Sequence, residues 1–212
     1  MMSLDKAPID TDTITVFASG NSIEDLSAED IQYIKDRSFL ITVNYAPIKI
    51  VGHMNIHSDK RVTEFLHKHF QEHKKQMLVL TRERAFNPRG ALEKEFKECY
   101  VDYWFNEQKE KIKGNYTIVW LLQLLEKYYS NKKVLIFGLD MTYTDASKAK
   151  WYDHHTSADL AVRGPRYPVD RKLSQCTDQL TKFLNNKEMF INCNPNSGCS
   201  VFNKVSEWRT LL

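Results

Sequence analysis

Short apolar runs rich in β-branched residues alternate along the chain with longer amphipathic segments. The apolar runs predict strands, and the segments between them, with apolar residues at helical spacing, predict helices. Near-uniformly apolar strands separated by helices are typical of a largely parallel sheet covered on both faces. The pattern therefore predicts an α/β fold, a single Rossmann-like domain with a mostly parallel sheet of about six or seven strands flanked by helices. The strands are expected at residues 13–18, 39–44, 51–57, 77–81, 133–138 and 188–193, with a weaker one at 101–105, and the helices at 28–36, 60–73, 115–129 and 170–184.

No repeat or low-complexity linker divides the 212 residues, so residues 1–212 are expected to form one domain. Residues 1–12 precede the first strand and are expected to be a flexible N-terminus. Residues 142–171 are polar and without periodicity, and they contain Pro165 and Pro168. A loop of this length in a compact domain is usually a lid, a binding loop or a disordered stretch. We expect it to be the active-site loop.

Composition narrows the class of protein only moderately. Hydrophobic residues make up 42% and charged residues 27% of the chain, which is ordinary for a soluble globular protein. The net charge of +3 gives no argument for nucleic-acid binding. No stretch approaches the roughly 18 apolar residues of a membrane span, and no secretory signal is recognisable. We therefore expect a cytoplasmic protein with reduced cysteines and a buried Cys193, attachment to the periphery of the inner membrane staying open.

The first candidate for ligand binding is the turn Gly20-Asn21-Ser22, which directly follows the first predicted strand. In open α/β sheets, ligands bind beyond the carboxyl ends of the strands, where loop amides face anions. A glycine there lets the backbone approach a phosphate closely, whereas ordinary turn chemistry explains the same residues without a ligand. Asn44 ends the second strand at the same edge, where its amide suits a base or ribose and equally suits an Asx turn. His57, Ser58 and Asp59 end the next strand, and Ser58 or Asp59 also suits a helix N-cap.

The second group of candidates follows the strand at residues 133–138. Gly138 and Asp140 end this strand and place a carboxylate at the rim, either to orient a hydroxyl group or to hold a loop. The loop that follows is rich in phenols, guanidinium groups and imidazoles, which suit phosphate binding and general-base work, although a solvated surface loop has the same composition. Its candidates are Tyr143, Tyr152, Asp153, His154, His155, Arg163, Arg166 and Tyr167.

Two arrangements that resemble metal sites are rejected. His69 and His73 are four residues apart on a predicted helix, but their surroundings are cationic and a third ligand is missing nearby. Asp10 and Asp12 form a DxD pattern, but they precede the first strand and so fall at the wrong edge of the sheet. We therefore expect neither a metal nor a cofactor.

Four segments in this order resemble the bacterial lipooligosaccharide sialyltransferases of glycosyltransferase family 42 and related MptE-like pterin diphosphokinases. The segments read VFASGNSIEDLS, FLITVN, GNYTIVWLLQLLEKYYSNKKVLIFGLDMTY and CNPNS, and they span most of residues 13–200. The resemblance implies a Rossmann-type GT-A variant that transfers a sugar with inversion and without a metal. The donor would be a nucleotide sugar, most readily a CMP-sugar, and the acceptor a glycan. A homo-oligomeric state stays open.

The resemblance also implies roles for particular residues. Asn115 and Thr117 would present polar groups to the ligand, Asn196 and Ser197 would face the base or ribose, and Tyr143 and Tyr152 would meet the leaving phosphate. The resemblance also places Gly20, Asn21, Ser22, Asn44 and Asp140 at the nucleotide. From the residues themselves, Gly138 at the strand end is expected to contact the nucleotide, and Arg163 and Arg166 of the loop to bind the phosphate. The family's general-base histidine would fall near residues 168–170, where this chain has none. His154, His155 or Asp170 would then have to supply the base.

Three functions follow as hypotheses. The first is a sialyltransferase-like glycosyltransferase. The second is a non-catalytic nucleotide-binding protein of the same fold, which the missing histidine favours. The third is an MptE-like pterin diphosphokinase that uses ATP and Mg²⁺, with Asp59, Asp140 and Asp145 as the acidic residues at the rim.

Overall fold

A computed structural model describes residues 4–57, 62, 66, 78–82, 103–141 and 169–212. In this part of the chain, eight strands form one sheet in which every pair of neighbours is parallel. The predicted α/β Rossmann-like architecture is confirmed. The strands are β1 (Thr13–Phe17), β2 (Phe39–Val43), β3 (Met54–His57), β4 (Leu78–Arg82), β5 (Tyr103–Phe105), β6 (Lys133–Phe137), β7 (Phe190–Asn192) and β8 (Asn203–Lys204).

Four α-helices are described, and short 3₁₀ turns occupy several of the connections. The first helix begins as the sequence predicts: the Ser27 hydroxyl accepts the Asp30 backbone N–H, and the Asp30 carboxylate accepts the Ser27 N–H in return. The helices are α1 (Ala28–Arg37), α2 (Glu107–Glu110), α3 (Thr117–Tyr128) and α4 (Val169–Phe183), and the 3₁₀ turns are Leu4–Lys6, Asn21–Asp25, Ala46–Ile48, Lys187–Met189 and Trp208–Leu211. Of the helix predicted at 60–73, only residues 62 and 66 are described.

The two faces of the sheet bury two separate hydrophobic clusters, because successive side chains of a strand point to opposite faces. Ile14 and Val16 of β1 belong to the larger cluster, with α3 and α4, whereas Phe17 belongs to the smaller one. Ile34 of α1 and the chain end around Trp208 cover the smaller cluster, and the Trp208 ring meets the Phe137 ring edge-on at 5.3 Å. Burial on both faces explains why these strands read as continuous apolar runs.

The expectation of a flexible N-terminus needs correction for residues 4–12. Leu4 is only 1% exposed, and its carbonyl accepts a hydrogen bond of 2.8 Å from the Tyr129 hydroxyl. Ile9 also packs into the larger cluster. Leu4 at the start of the short Leu4–Lys6 turn and Ile9 after this turn thus anchor the segment on the core.

The strand order places a topological switch point inside the sheet. The order is β5-β4-β3-β2-β1-β6-β7-β8, so the chain first builds outward from β1 in one direction and then, from β6, in the other. The connections that leave β1 and β6 therefore diverge to opposite sides. In open α/β sheets, the crevice at such a point, at the carboxyl ends of the strands, is where ligands bind.

Candidate functional site

The turn after β1 and the turn after β6 are joined at the switch point by a carboxylate. Oδ2 of Asp140 accepts the Ser22 backbone N–H at 2.8 Å, and Oδ1 accepts the Ser22 hydroxyl at 2.5 Å. Asn194, which follows β7, donates its side-chain N–H to the same Oδ1 at 2.8 Å. Asp140 thus connects the loops that follow three neighbouring strands. Of the two roles that the sequence left open, orienting a hydroxyl group or holding a loop, these contacts correspond to the second.

Gly20 is required in this turn because of space rather than because of its backbone angles. Its φ of −78° and ψ of 159° are extended values that any residue adopts. A Cβ built on Gly20, however, would lie 2.5 Å from Oδ2 of Asp140 and closer still to the carbonyl oxygen of Gly138. The Gly20 N–H donates to that same carbonyl at 2.8 Å. Gly138 itself has a φ of +69°, a left-handed value that favours glycine.

The segment after β7 is held against this pair of turns by a ladder of asparagines. The buried Asn192 donates its side-chain N–H to the Leu139 carbonyl and accepts the Asn194 backbone N–H, and Asn194 in turn accepts the Asn196 N–H. Ser197 is 4% exposed, and its hydroxyl lies 2.5 Å from the Leu139 carbonyl and 3.0 Å from the Asp140 carbonyl. The hydroxyl of Ser197 is therefore committed within the protein, whereas Asn196 is exposed at the rim.

The turn after β2 has a different character, because it contains a polar atom without a partner. Asn44 adopts a left-handed φ of 52°, which asparagine tolerates better than most residues, and its N–H donates to the Ile56 carbonyl. The side-chain oxygen of Asn44 is buried, and none of the residues that the structure describes donates a hydrogen bond to it. Such atoms are rare because an unsatisfied buried polar group costs about 1–3 kcal/mol. The turn lies next to the Gly20 turn, since the Ser19 hydroxyl donates to the Val43 carbonyl at 3.3 Å.

A network of buried hydrogen bonds around Asn55 of β3 holds the Asn44 turn. Asn55, in the middle of β3 and fully buried, donates its side-chain N–H₂ to the carbonyls of Thr42 and Asn44, at 3.0 and 3.3 Å. Its oxygen consequently faces Nδ1 of His57, at 2.7 Å. Burial lowers the pKa of His57 to about 4, so the imidazole is neutral at pH 7. Because the Asn55 oxygen only accepts, Nδ1 must carry the ring proton and Nε2 the lone pair.

Asn115 and Thr117, which the resemblance also assigns to the nucleotide, lie at the start of α3. The Asn115 backbone N–H donates to the side-chain oxygen of Gln179 on α4, at 2.8 Å. Thr117 is the first residue of α3 and is 8% exposed. The structure connects this helix start to α4, and the role of both residues in binding stays a prediction.

The remaining predicted residues lie largely outside the described part of the chain. These are Tyr143, Tyr152, Asp153, His154, His155, Arg163, Arg166 and Tyr167 of the predicted active-site loop, and Ser58 and Asp59 after β3. Asp170 is the second residue of α4, so residues 169–171 belong to a helix and not to the loop expected at 142–171. The backbone of Asn21 begins the 3₁₀ turn Asn21–Asp25.

Three residues of the site escaped sequence reasoning. Asn194 contacts Asp140, and Asn192 and Asn55 are fully buried supports. The signal for the first two was an asparagine at every second position from 192 to 196, since asparagine side chains commonly accept the backbone N–H two residues ahead. The signal for Asn55 was a polar residue within an otherwise buried strand, which requires partners.

The opposite, amino-terminal edge of the sheet has a groove of about 740 Å³, lined in part by Asp10, Lys35 and His53. Nδ1 of His53 accepts the Leu40 backbone N–H at 2.9 Å and so completes the pairing of β2 with the residues before β3. Asp10 lies at this edge, as its place before β1 predicts. Within the described ranges, no cluster of three or more His, Cys, Asp or Glu side chains is arranged to hold a metal ion.

The buried cysteines are structural. Cys176, Cys193 and Cys199 are free thiols, and burial raises the pKa of Cys176 and of Cys193 to about 12. The predicted burial of Cys193 is confirmed at 8% exposure. None of the described helices is long and apolar enough to span a membrane.

Comparisons with protein-family models, with curated proteins and with solved structures gave no match. The fold class therefore rests on the sheet itself, and any function must be argued from the carboxyl edge.

Proposed function

We propose that this protein binds a nucleotide at the carboxyl edge of its sheet, beside the switch point, and that the ligand is a nucleotide sugar. The proposed activity is a metal-independent, inverting transfer of the sugar to a glycan acceptor, as in the sialyltransferases that the sequence resembles. The fold supports the first half of this proposal, because open parallel sheets bind ligands at this edge. The resemblance supports the second half.

The observation that carries the proposal is the buried, unpaired side-chain oxygen of Asn44. Two hydrogen bonds to β3 fix its turn: the Asn44 N–H donates to the Ile56 carbonyl, and the Asn44 carbonyl accepts from Asn55. A site that leaves an acceptor unsatisfied in the free protein discriminates strongly for a ligand that supplies the donor. The exocyclic amine of cytosine and the hydroxyls of ribose are donors of this kind. Adenine and guanine also carry an exocyclic amine, whereas uracil carries none. The choice of a CMP-sugar among these comes from the resemblance.

The chemistry of transfer requires groups beyond this turn. A base must remove the proton of the acceptor hydroxyl, and donors must stabilise the departing phosphate. Under this proposal the base is His154, His155 or Asp170, and the phosphate is met by Tyr143, Tyr152, Arg163 and Arg166. The Gly20 turn, which the Asp140 hydrogen bonds hold in place, lies next to the Asn44 turn and would form one wall of the site.

Isothermal titration of the purified protein with CMP, UDP, GDP, ADP and ATP, each with EDTA and with Mg²⁺, tests the binding. We expect CMP to bind in EDTA. The informative variant is Asn44→Gly, because glycine adopts a φ of 52° without strain and removes the unpaired oxygen. Folding stability should stay within about 1 kcal/mol of wild type, while CMP binding weakens roughly tenfold, the loss of about one hydrogen bond.

The matched control is Lys111→Gly. Lys111 follows the last residue of α2 and has a φ of 60°, so it shares the left-handed backbone conformation of Asn44. It lies away from the site, because the neighbouring Glu110 forms an ion pair with Lys127 near the end of α3. Unchanged affinity in Asn44→Gly, or an equal loss in Lys111→Gly, would contradict the assignment. The transfer half is tested by CMP release from a CMP-sugar in EDTA with a glycan acceptor, and binding without release would show a nucleotide-binding protein that lacks the activity.

A further inference from the structure

The space above Gly20 is occupied by a side chain of the protein itself. In dinucleotide-binding folds, a glycine in the first turn leaves room for a phosphate, which then accepts the backbone N–H groups of the turn. Here Oδ2 of Asp140 lies 2.5 Å from the place of a Cβ on Gly20. The same oxygen accepts the Ser22 N–H at 2.8 Å, and the Gly20 N–H is used by the Gly138 carbonyl.

The Asp140 carboxylate also has no cationic partner among the described residues. Its three donors are the backbone N–H and the hydroxyl of Ser22 and the amide of Asn194, all of which are neutral. Oδ1 accepts two hydrogen bonds and Oδ2 accepts one. Since a carboxylate oxygen has two lone-pair positions, the hydrogen bonds of the described residues leave one acceptor position on Oδ2.

From this geometry we infer that Asp140 is an internal anion that fills the phosphate position of the first turn. It directs the uncharged nucleoside part of the ligand to this turn and keeps the ligand's phosphate elsewhere on the rim. The inference rests on the proposed nucleotide site for the orientation, but the exclusion of phosphate follows from Asp140 alone. A second anion at the same N–H groups would meet like charge and occupied space, whereas a ribose hydroxyl would donate to the free position on Oδ2.

The direct test replaces the charge and keeps the shape, with Asp140→Asn. Inorganic pyrophosphate is titrated into ¹⁵N-labelled protein while the amide signals of the Gly20 turn are followed. In the wild type, pyrophosphate should leave the Ser22 amide unshifted. In Asp140→Asn it should shift that amide, with an affinity at least tenfold above the wild type. The matched control is Asn194→Ala, which removes one neutral donor to the carboxylate but keeps the charge, and it should behave as the wild type does.

The inference is overturned if pyrophosphate shifts the Ser22 amide in the wild type, or if Asp140→Asn gains no affinity. A second measurement on the wild type alone covers the case in which Asp140→Asn does not fold. Cytidine, which carries no phosphate, should shift the Ser22 amide in the same direction and by a similar amount as CMP. A Ser22 shift that appears only with CMP would overturn the proposed orientation.

The two proposals fail separately. If neither CMP nor cytidine shifts any amide of the carboxyl edge, including that of Asn44, the proposed function is wrong. The pyrophosphate titrations would still decide whether Asp140 excludes phosphate from this turn.

Discussion

Substitution of Gly20 by alanine tests whether the Asp140 carboxylate occupies the space above this turn. The backbone angles of Gly20 suit alanine, so any cost must come from the added methyl group. That group would lie 2.5 Å from Oδ2 and 2.6 Å from Cγ of Asp140, and closer still to the Gly138 backbone oxygen. The side chain of Asp140 can only move away by giving up its hydrogen bonds to Ser22.

The cost has three parts of known order. Overpacking of a tightly filled site costs about 1–3 kcal/mol. A weakened hydrogen bond to a charged group adds about 1.5–3 kcal/mol. The smaller entropy of an unfolded chain with alanine offsets about 0.4–1 kcal/mol. We therefore expect Gly20→Ala to lower the free energy of unfolding by roughly 2–5 kcal/mol.

Urea unfolding at pH 7 measures this change, with the midpoint and the slope recorded separately to check that the transition stays two-state. A double-mutant cycle with Asp140→Ala identifies the clash: in the absence of the carboxylate, Gly20→Ala should cost at least about 1 kcal/mol less. The exposed Asn196→Ala is the control at the same rim and should stay within about 0.5 kcal/mol of wild type. A cost of Gly20→Ala below about 0.5 kcal/mol would refute the steric reasoning, and an additive cycle would show that Asp140 does not fill the space.

Two further predictions follow from the buried titratable groups. The pKa of His57 is about 4 in the folded protein, below its ordinary 6.5, so the unfolded chain binds the proton more tightly and stability falls as the pH drops from about 6.5 towards 4. The whole shift corresponds to about 3 kcal/mol. Between pH 7 and pH 4.5, urea unfolding should show a loss of about 2 kcal/mol from this group in the wild type. The loss should be smaller in His57→Gln, which keeps an N–H donor for Asn55, and equal losses would count against the assignment. Burial raises the pKa of the Cys176 and Cys193 thiols to about 12, so both should resist iodoacetamide at pH 8 until urea unfolds the protein. Peptide mapping that finds either cysteine alkylated in the folded protein would contradict their burial.

The sheet was predictable from the sequence because burial on both faces makes each strand an apolar run. The predicted strand at 51–57 begins later, at Met54, because the ring of His53 takes the place of a backbone acceptor for the Leu40 N–H. Strand β8 was not predicted, since Asn203 and Lys204 are both exposed and carry no apolar signal. The short helix α2 escaped for a similar reason: its four residues, Glu107–Glu110, bury none of their side chains.

The edge of the sheet that these turns share was also predictable, but the contacts between them were not. Gly20, Asn44 and Asp140 each follow a strand, and parallel strands bring their carboxyl ends to one edge whatever the strand order. Which loops oppose each other depends on the order itself. Only with β1 next to β6 and β6 next to β7 does Asp140 meet both Ser22 and Asn194. A linear sequence read one strand at a time does not contain that adjacency.

The carboxyl edge consists of two parts that differ in how far their polar groups are paired. On the side of β1, β6 and β7, the polar groups that the structure places in the turns satisfy one another, through Asp140, Asn192, Asn194 and the Ser197 hydroxyl. On the side of β2 and β3, the Asn44 turn is held as firmly, yet it keeps one buried acceptor unpaired. A rigid surface whose polar groups are already paired loses little entropy when a ligand binds against it. An unpaired acceptor in a fixed turn instead selects ligands that carry a matching donor. Under the proposed function, specificity for the ligand should therefore change with substitutions around Asn44. Substitutions around Asp140 should change the stability and the charge of the neighbouring turns.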